Sequence, residues 1–296
     1  MKYINIIIFT TVFCCNVSAQ KFYAYPIISL SMQANKLYYE RYDDNNILYQ
    51  DSIVTNYIGH SNKYSLGDGK KYGVGIGYDF ANNVAFDLMI TYFKGKEHGW
   101  DVKSYYEFYP ETAYNVSFNE KHTYSYKALN ISPSLIFSTD KSKKINVYLK
   151  AGVNISKGNM TKNLTRSIFN NLPNYIPVEK YEYEYKYTPK ISIGGFGTFG
   201  IEFSRNRIFN IFAEAQFLYQ NFNPKTGKCV KYTYQGEDKL NDLPLRAKEF
   251  EFVDTFDSAD DNDNEPGKFT KETHSLSSYS ISIGVRYYFK HNSNVQ

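Results

Sequence analysis

The sequence predicts an all-β fold: an eight-stranded antiparallel up-and-down transmembrane β-barrel with short periplasmic turns and long extracellular loops. Three observations predict it. There is an export-type leader, there are eight segments with apolar residues at every second position, and the connections between them are short and long in strict turn. Composition agrees. The 30 Tyr and 22 Phe among 296 residues favour strands over helices. A mean hydropathy of −0.51 is too polar for a helical membrane protein, yet suits strands of which only alternate residues meet lipid.

The leader occupies residues 1–19. Lys2 supplies its positive end, residues 4–13 are largely apolar, and Val17, Ser18 and Ala19 form a small-residue cleavage site, so the mature chain is expected to begin at Gln20. The apolar run is too short to cross a bilayer as a helix, which takes about 20 residues. Lipidation at Cys14 is the alternative, and the bulky Phe13 before it speaks against it. Without the leader the chain keeps 33 basic and 30 acidic side chains, a net +3, too mild a charge for a nucleic-acid partner. Cys229 is then the one cysteine left, so no intramolecular disulfide is expected.

Each of the eight segments has an apolar face. The first carries Phe22, Ala24, Pro26, Ile28, Leu30 and Met32; the second Tyr72, Val74, Ile76, Tyr78 and Phe80; the third Val84, Phe86, Leu88, Ile90 and Tyr92. The fourth carries Leu129, Ile131, Pro133, Leu135 and Phe137, and the fifth Ile145, Val147, Leu149, Ala151, Val153 and Ile155. The sixth has Ile191, Ile193, Phe199, Ile201 and Phe203; the seventh Phe209, Ile211, Ala213, Ala215, Phe217 and Tyr219. The eighth has Tyr279, Ile281, Ile283, Val285, Tyr287 and Phe289. Pro26 and Pro133 each remove a backbone donor and are expected to mark bulges.

Alternation alone also fits a soluble β-sandwich; the connections decide. Residues 81–83, 138–144 and 204–208 are short links, and the four others run roughly 30 to 55 residues. Such sorting is expected when short turns face the periplasm and long loops face outward, whereas Greek-key crossings give no reason for it. The face opposite the apolar one carries Asp79, Asp87, Lys150, Lys190, Glu202, Glu214 and Arg286. An eight-stranded lumen is just wide enough to be filled by its own side chains, so these groups are expected to form a buried, charge-paired plug. A narrow conducting pore is the other reading.

The last segment, residues 279–289, resembles the closing strand of outer-membrane barrels, where an alternating strand ends in an aromatic residue and is read by the barrel assembly machinery. By architecture, residues 20–290 resemble the eight-stranded outer membrane β-barrel families of the OmpA transmembrane-domain and OmpX type, and the Tyr- and Asn-rich loops are similar to members from Bacteroidota. A short tail, 291–296, departs from the usual ending at the aromatic. The resemblance implies residence in the bacterial outer membrane, among its lipid and lipopolysaccharide. It implies an anchor whose long loops serve adhesion, envelope integrity or binding of a surface ligand or envelope protein. A narrow porin-like channel for small solutes is the alternative, and a lipid-modifying enzyme or protease a third.

Other features carry further expectations. Tyr181, Tyr183, Tyr185 and Tyr187 alternate with Glu182, Glu184 and Lys186 in phase with segment six, which predicts one strand over 181–203 standing well above the bilayer. Residues 37–42 and 116–126 extend segments one and four in the same way. Tyrosines so placed either bind a partner or form the interface girdle. Asp254, Asp257, Asp260, Asp261, Asp263 and Glu265 form an acidic run, but Pro266 and the lack of an EF-hand glycine leave it a solvated charge run rather than a calcium site. Ser52 and Ser258 follow Asp and precede an aliphatic residue, similar to O-glycosylation acceptors of Bacteroidota. His98 and His122 lie near Ser and Asp, yet no nucleophile, base and orienter share a recognisable spacing. No catalytic residue, cofactor or metal is expected.

Overall fold

The computed structural model describes residues 21–34, 48–49, 52–59, 65–81, 83–108, 114–139, 144–170, 178–204, 208–255 and 262–289. The leader, the tail 291–296, residues 37–42 and Ser258 lie outside the described residues. In chain order the strands are β1 Lys21–Gln33, β2 Leu48–Tyr49, β3 Ser52–Gly59, β4 Gly69–Ala81, β5 Val84–Gly95, β6 His98–Phe108, β7 Tyr114–Ser138, β8 Ile145–Asn170, β9 Val178–Pro189, β10 Ser192–Ser204, β11 Phe209–Tyr219, β12 Asn221–Phe222, β13 Pro224–Tyr234, β14 Glu237–Asp238, β15 Glu249–Val253, β16 Gly267–Thr270, β17 His274–Ser275 and β18 Ser278–Tyr288. The chain is all-β and mainly antiparallel, and the long connections contribute strands of their own.

Apart from Ile191 and Phe289, the apolar residues of the eight alternating segments fall in strands: β1, β4, β5, β7, β8, β10, β11 and β18. Their antiparallel pairings run from β1 to β4, β5, β7, β8, β10, β11 and β18, and from β18 back to β1. This circuit leaves no unpaired edge among its members, the arrangement that satisfies every strand's backbone groups internally. Burial alternates along it, most regularly in the last strand. In β18 every second residue from Ser278 to Tyr288 is buried and those between are exposed.

Pro26 and Pro133 do not produce the expected bulges. Pro26 stands opposite Val74, and Pro133 opposite Leu88, in unbroken register. Each proline interrupts only its other ladder: rungs are missing between β1 and β18 from Ala24 to Ile27, and between β7 and β8 from Ile131 to Ser134. Neighbouring rungs hold the register across a single absent donor.

Strands β7 and β8, of 25 and 26 residues, are more than twice the length a membrane strand needs, about 9–11 residues. Their far halves leave the circuit and pair with each other over Val116–Glu120 and Arg166–Asn170 and beyond. There β7 also takes β6, which takes β3 and β2. On the other side β8 takes β9, then β13, β15 and, in parallel, β16. The result is an open wall of strands standing on one half of the circuit.

The single strand expected over 181–203 is broken. Between β9 and β10, Lys190 and Ile191 are both exposed and unpaired in sheet. Beyond the break Tyr187 is buried, although an unbroken strand would have put it on the same outer side as Ile193. Pro189 lacks an amide donor and restricts the residue before it, and it sits at the break where the phase changes by one residue. Lys190 is therefore not an interior residue: it points outward.

Candidate functional site

Inside the circuit lies a layer of charge. Asp79, Asp87, Lys150, Glu202, Glu214 and Arg286 are all buried, Asp87 at 0% and Lys150 at 2% exposure. Lys150 Nζ stands 2.9 Å from Glu214 Oε1 and 3.3 Å from Asp87 Oδ2, tying β8 to β11 and β5. Tyr25 donates to Asp87 at 2.6 Å, Tyr23 donates to it at 3.2 Å, and Tyr148 donates to Glu214 at 2.8 Å. Arg286 pairs with Glu202, which also accepts from Tyr288 at 3.0 Å and from Asn210. The guanidinium is caged by aromatic faces, 4.7 Å from the Tyr23 ring centroid and 5.0 Å from that of Phe212, an arrangement that stabilises a desolvated cation. Pairing of this kind is required, because an isolated buried charge costs far more than folding supplies.

Glycine makes room for those rings. Gly75 and Gly77 face Tyr25 and Tyr23 directly across β4 and β1. A Cβ there would lie 2.1 Å and 2.0 Å from the rings, so each tyrosine lies flat over a residue without a side chain. The hydroxyls thereby reach Asp87. Sequence reading assigned the acids and bases to this face but missed the tyrosines; the available signal was their position on the polar side of the first segment, across from a run of alternate glycines.

Above the charges comes a layer of hydroxyls and amides. Lys71 donates to Gln216 at 3.4 Å and to Ser280 at 3.2 Å. Ser132 donates to Asn154 at 2.7 Å, and Asn154 donates to Gln220 at 2.7 Å. A void of about 20 Å³ lies beside Lys71, Asn130, Ser156 and Gln220, room for about one water molecule. The lumen ends under an aromatic cap of Phe93, Tyr126, Met160, Tyr187, Phe222, Phe250, Phe252 and Leu276, all buried. Tyr126 meets Phe222 edge-on at 5.2 Å, and Tyr187 meets Phe250 at 5.6 Å.

The cap continues up the inner face of the wall. Tyr183 stacks on Tyr232 at 4.7 Å and on Tyr185 at 5.8 Å. Beside them Arg166 holds Glu120 at 2.6 Å, and His122 Nε2 lies 3.0 Å from the same carboxylate. The hydrogen bond from His122, with the Arg166 charge beside it, holds the Glu120 carboxyl below its ordinary value despite partial burial. On the outer face Glu182 bridges Lys180 and Lys231, at 2.6 Å and 2.9 Å, and their hydrogen bonds lower it to about 2.

The remaining candidates do not converge. His98 lies 3.6 Å from Asp68, and burial lowers its pKa; it stands opposite Tyr124, whereas His122 stands opposite Trp100. Asp254 pairs with Lys271 and Asp263 with Arg246, while Asp257, Asp260 and Asp261 lie outside the described residues. No cluster of His, Cys, Asp and Glu fit for a metal occurs among the described residues. Ser52 opens β3, opposite Phe108. Tyr279, Ile281, Ile283, Val285, Tyr287 and Phe289 are all exposed on the outer face of the last strand.

No family model matches the chain, and no curated protein matches it. Among solved structures it is similar to Neisserial surface protein A, at 12% identity and a TM-score of 0.39, over 92% of this chain and 100% of that chain.

Proposed function

We propose that the chain is an outer-membrane surface β-barrel. Eight transmembrane strands form a non-catalytic anchor that holds the wall above the membrane for adhesion, envelope integrity or a partner. The observation that carries this reading is the outer face of the circuit. Residues such as Ile193, Ile281, Val74 and Leu149 are 59–68% exposed, and such residues recur on all eight strands. An apolar belt of this extent is not stable in water. Strands β11 and β18, of 11 residues each, lie wholly within it, and about 9–11 residues cross a bilayer. Aromatic residues at least partly exposed mark both rims, where interfacial girdles belong. Phe22 with Tyr78, and Phe209 with Tyr287, stand at the end where β1 begins and β18 stops; Phe217 with Tyr279 stands at the other.

The same reading includes removal of residues 1–19, recognition of the Tyr279 to Phe289 strand by the barrel assembly machinery, and kinship with the OmpA and OmpX type. The paired charges and the aromatic cap fill the lumen, which weighs against the channel alternative.

The test is refolding of the mature chain with and without detergent micelles. Folding is expected only with micelles, giving a heat-modifiable band on gels and no sustained conductance in planar bilayers. A soluble monomer with a cooperative melt in plain buffer sinks the membrane reading; steady single-channel current favours the pore.

A further inference from the structure

At the upper rim of the apolar belt, the register sets lysines side by side. Lys70 stands opposite Lys94, and Lys94 opposite Lys127, on the adjacent strands β4, β5 and β7. Lys157 joins them on β8, opposite Leu129, one outward-facing position below Lys127. All four are exposed, and none has a carboxylate partner among the described residues. Like charges directly opposite on neighbouring strands are destabilising, so an anion laid across such a row is favoured. The next outward rung is apolar: Tyr72 stands opposite Tyr92, and Tyr92 opposite Leu129. On the other side of the circuit Met32, Tyr219 and Tyr279 occupy the corresponding rim. The rim is thus basic from β4 to β8, with Lys190 just before β10, and apolar at β1, β11 and β18.

A single ligand with an anionic head and an apolar body matches both rungs. Strands lie about 4.8 Å apart, so three lysines in register span roughly 10 Å, the reach of a headgroup bearing more than one phosphate oxygen cluster. Resting on the outer-membrane reading above, we propose that Lys70, Lys94, Lys127 and Lys157 bind the phosphorylated headgroup of a membrane lipid whose acyl chains lie along β4, β5, β7 and β8.

The test uses the mature chain folded in micelles of an uncharged sugar detergent. The probes are a bisphosphorylated, multiply acylated disaccharide lipid, the same lipid with its phosphates removed, and inorganic phosphate. The readout is the midpoint of the heat-modifiable gel transition against probe concentration. The bisphosphorylated lipid is expected to raise the midpoint and the other two to leave it in place. Each Lys→Gln change should weaken the apparent affinity about fivefold, and the quadruple variant should abolish the shift. Changing Lys180, Lys228 and Lys231 on the wall to Gln should alter nothing. If the quadruple variant does not fold, Lys94→Gln alone carries the test through its fivefold loss. Equal shifts with the dephosphorylated lipid, an equal effect of inorganic phosphate, or unaltered binding by the variants overturns the site while leaving the barrel intact. Failure of the wild type to fold in any micelle overturns the membrane reading itself.

Discussion

The circuit and the wall share two strands, β7 and β8, yet they are inside out relative to one another. In the lower halves of β7 and β8 the outer face is Leu129, Ile131, Leu135, Phe137, Leu149 and Ile155, all exposed, while Asn130, Ser132, Ser134, Lys150 and Asn154 are buried. Higher up the inner face becomes Tyr124, Tyr126 and Met160, and the outer face Lys127, Lys157 and Asn159. The phase of neither strand changes, since the register between them continues from Val116 to Ser138. On the membrane reading proposed above, what changes is the surroundings. Next to acyl chains, alternate apolar residues belong outside and the polar ones must satisfy each other within; next to water the usual order returns. On that reading, the level at which the polarity inverts is the level of the membrane surface, and the lysine row lies there.

The largest effect is expected in the circuit. Lys150→Glu replaces the cation shared by Asp87 and Glu214 with a third carboxylate. Removing one member of a buried pair costs about 3–5 kcal/mol, and repulsion adds to it. The heat-modifiable band should be lost at a much lower temperature, whereas Lys231→Glu on the wall should leave it in place. Unchanged melting of the Lys150 variant would mean that the charges do not hold the strands together.

Phe250→Ala strikes the cap instead. Loss of a buried Phe costs about 3–5 kcal/mol, but here the loss falls on the wall and not on the ladders of the circuit. Limited proteolysis should cut β9 to β16 faster, with the gel shift of the circuit preserved. If both regions failed together, they would be one cooperative unit and the contrast between them would be one of composition only.

The smallest effect concerns acid. Glu120 has a depressed carboxyl through His122 and Arg166, so its contribution is full above the ordinary Glu value of about 4.3 and fades as pH falls through the lower native value. The hydrogen-exchange protection factors of the upper β7 and β8 amides should fall over that range, and Glu120→Gln should remove the pH dependence. Equal dependence in the variant would assign the acid sensitivity elsewhere.

Much of the circuit was legible because its two faces obey a period of two that survives in the sequence whatever the neighbours are. The polar side of each segment revealed Asp79, Asp87, Lys150, Glu202, Glu214 and Arg286. The wall was less legible, because its residues alternate too and nothing local says where lipid ends and water begins. Lys190 was misplaced for the same reason: periodicity was carried through Pro189, where one residue of slip turns the chain over. The tyrosine ligands of Asp87 escaped notice because they come from β1, 62 and 64 residues away.

The sequence by itself determined which residues form the eight alternating strands and which side of each is apolar, since side-chain direction in a strand depends only on residue parity. Tertiary structure alone decided that these strands pair first to last, that two of them rise into a wall, and which acid meets which base, tyrosine or arginine. Those outcomes depend on register between strands distant in the chain, and register is an energy of the assembled sheet rather than of any one segment.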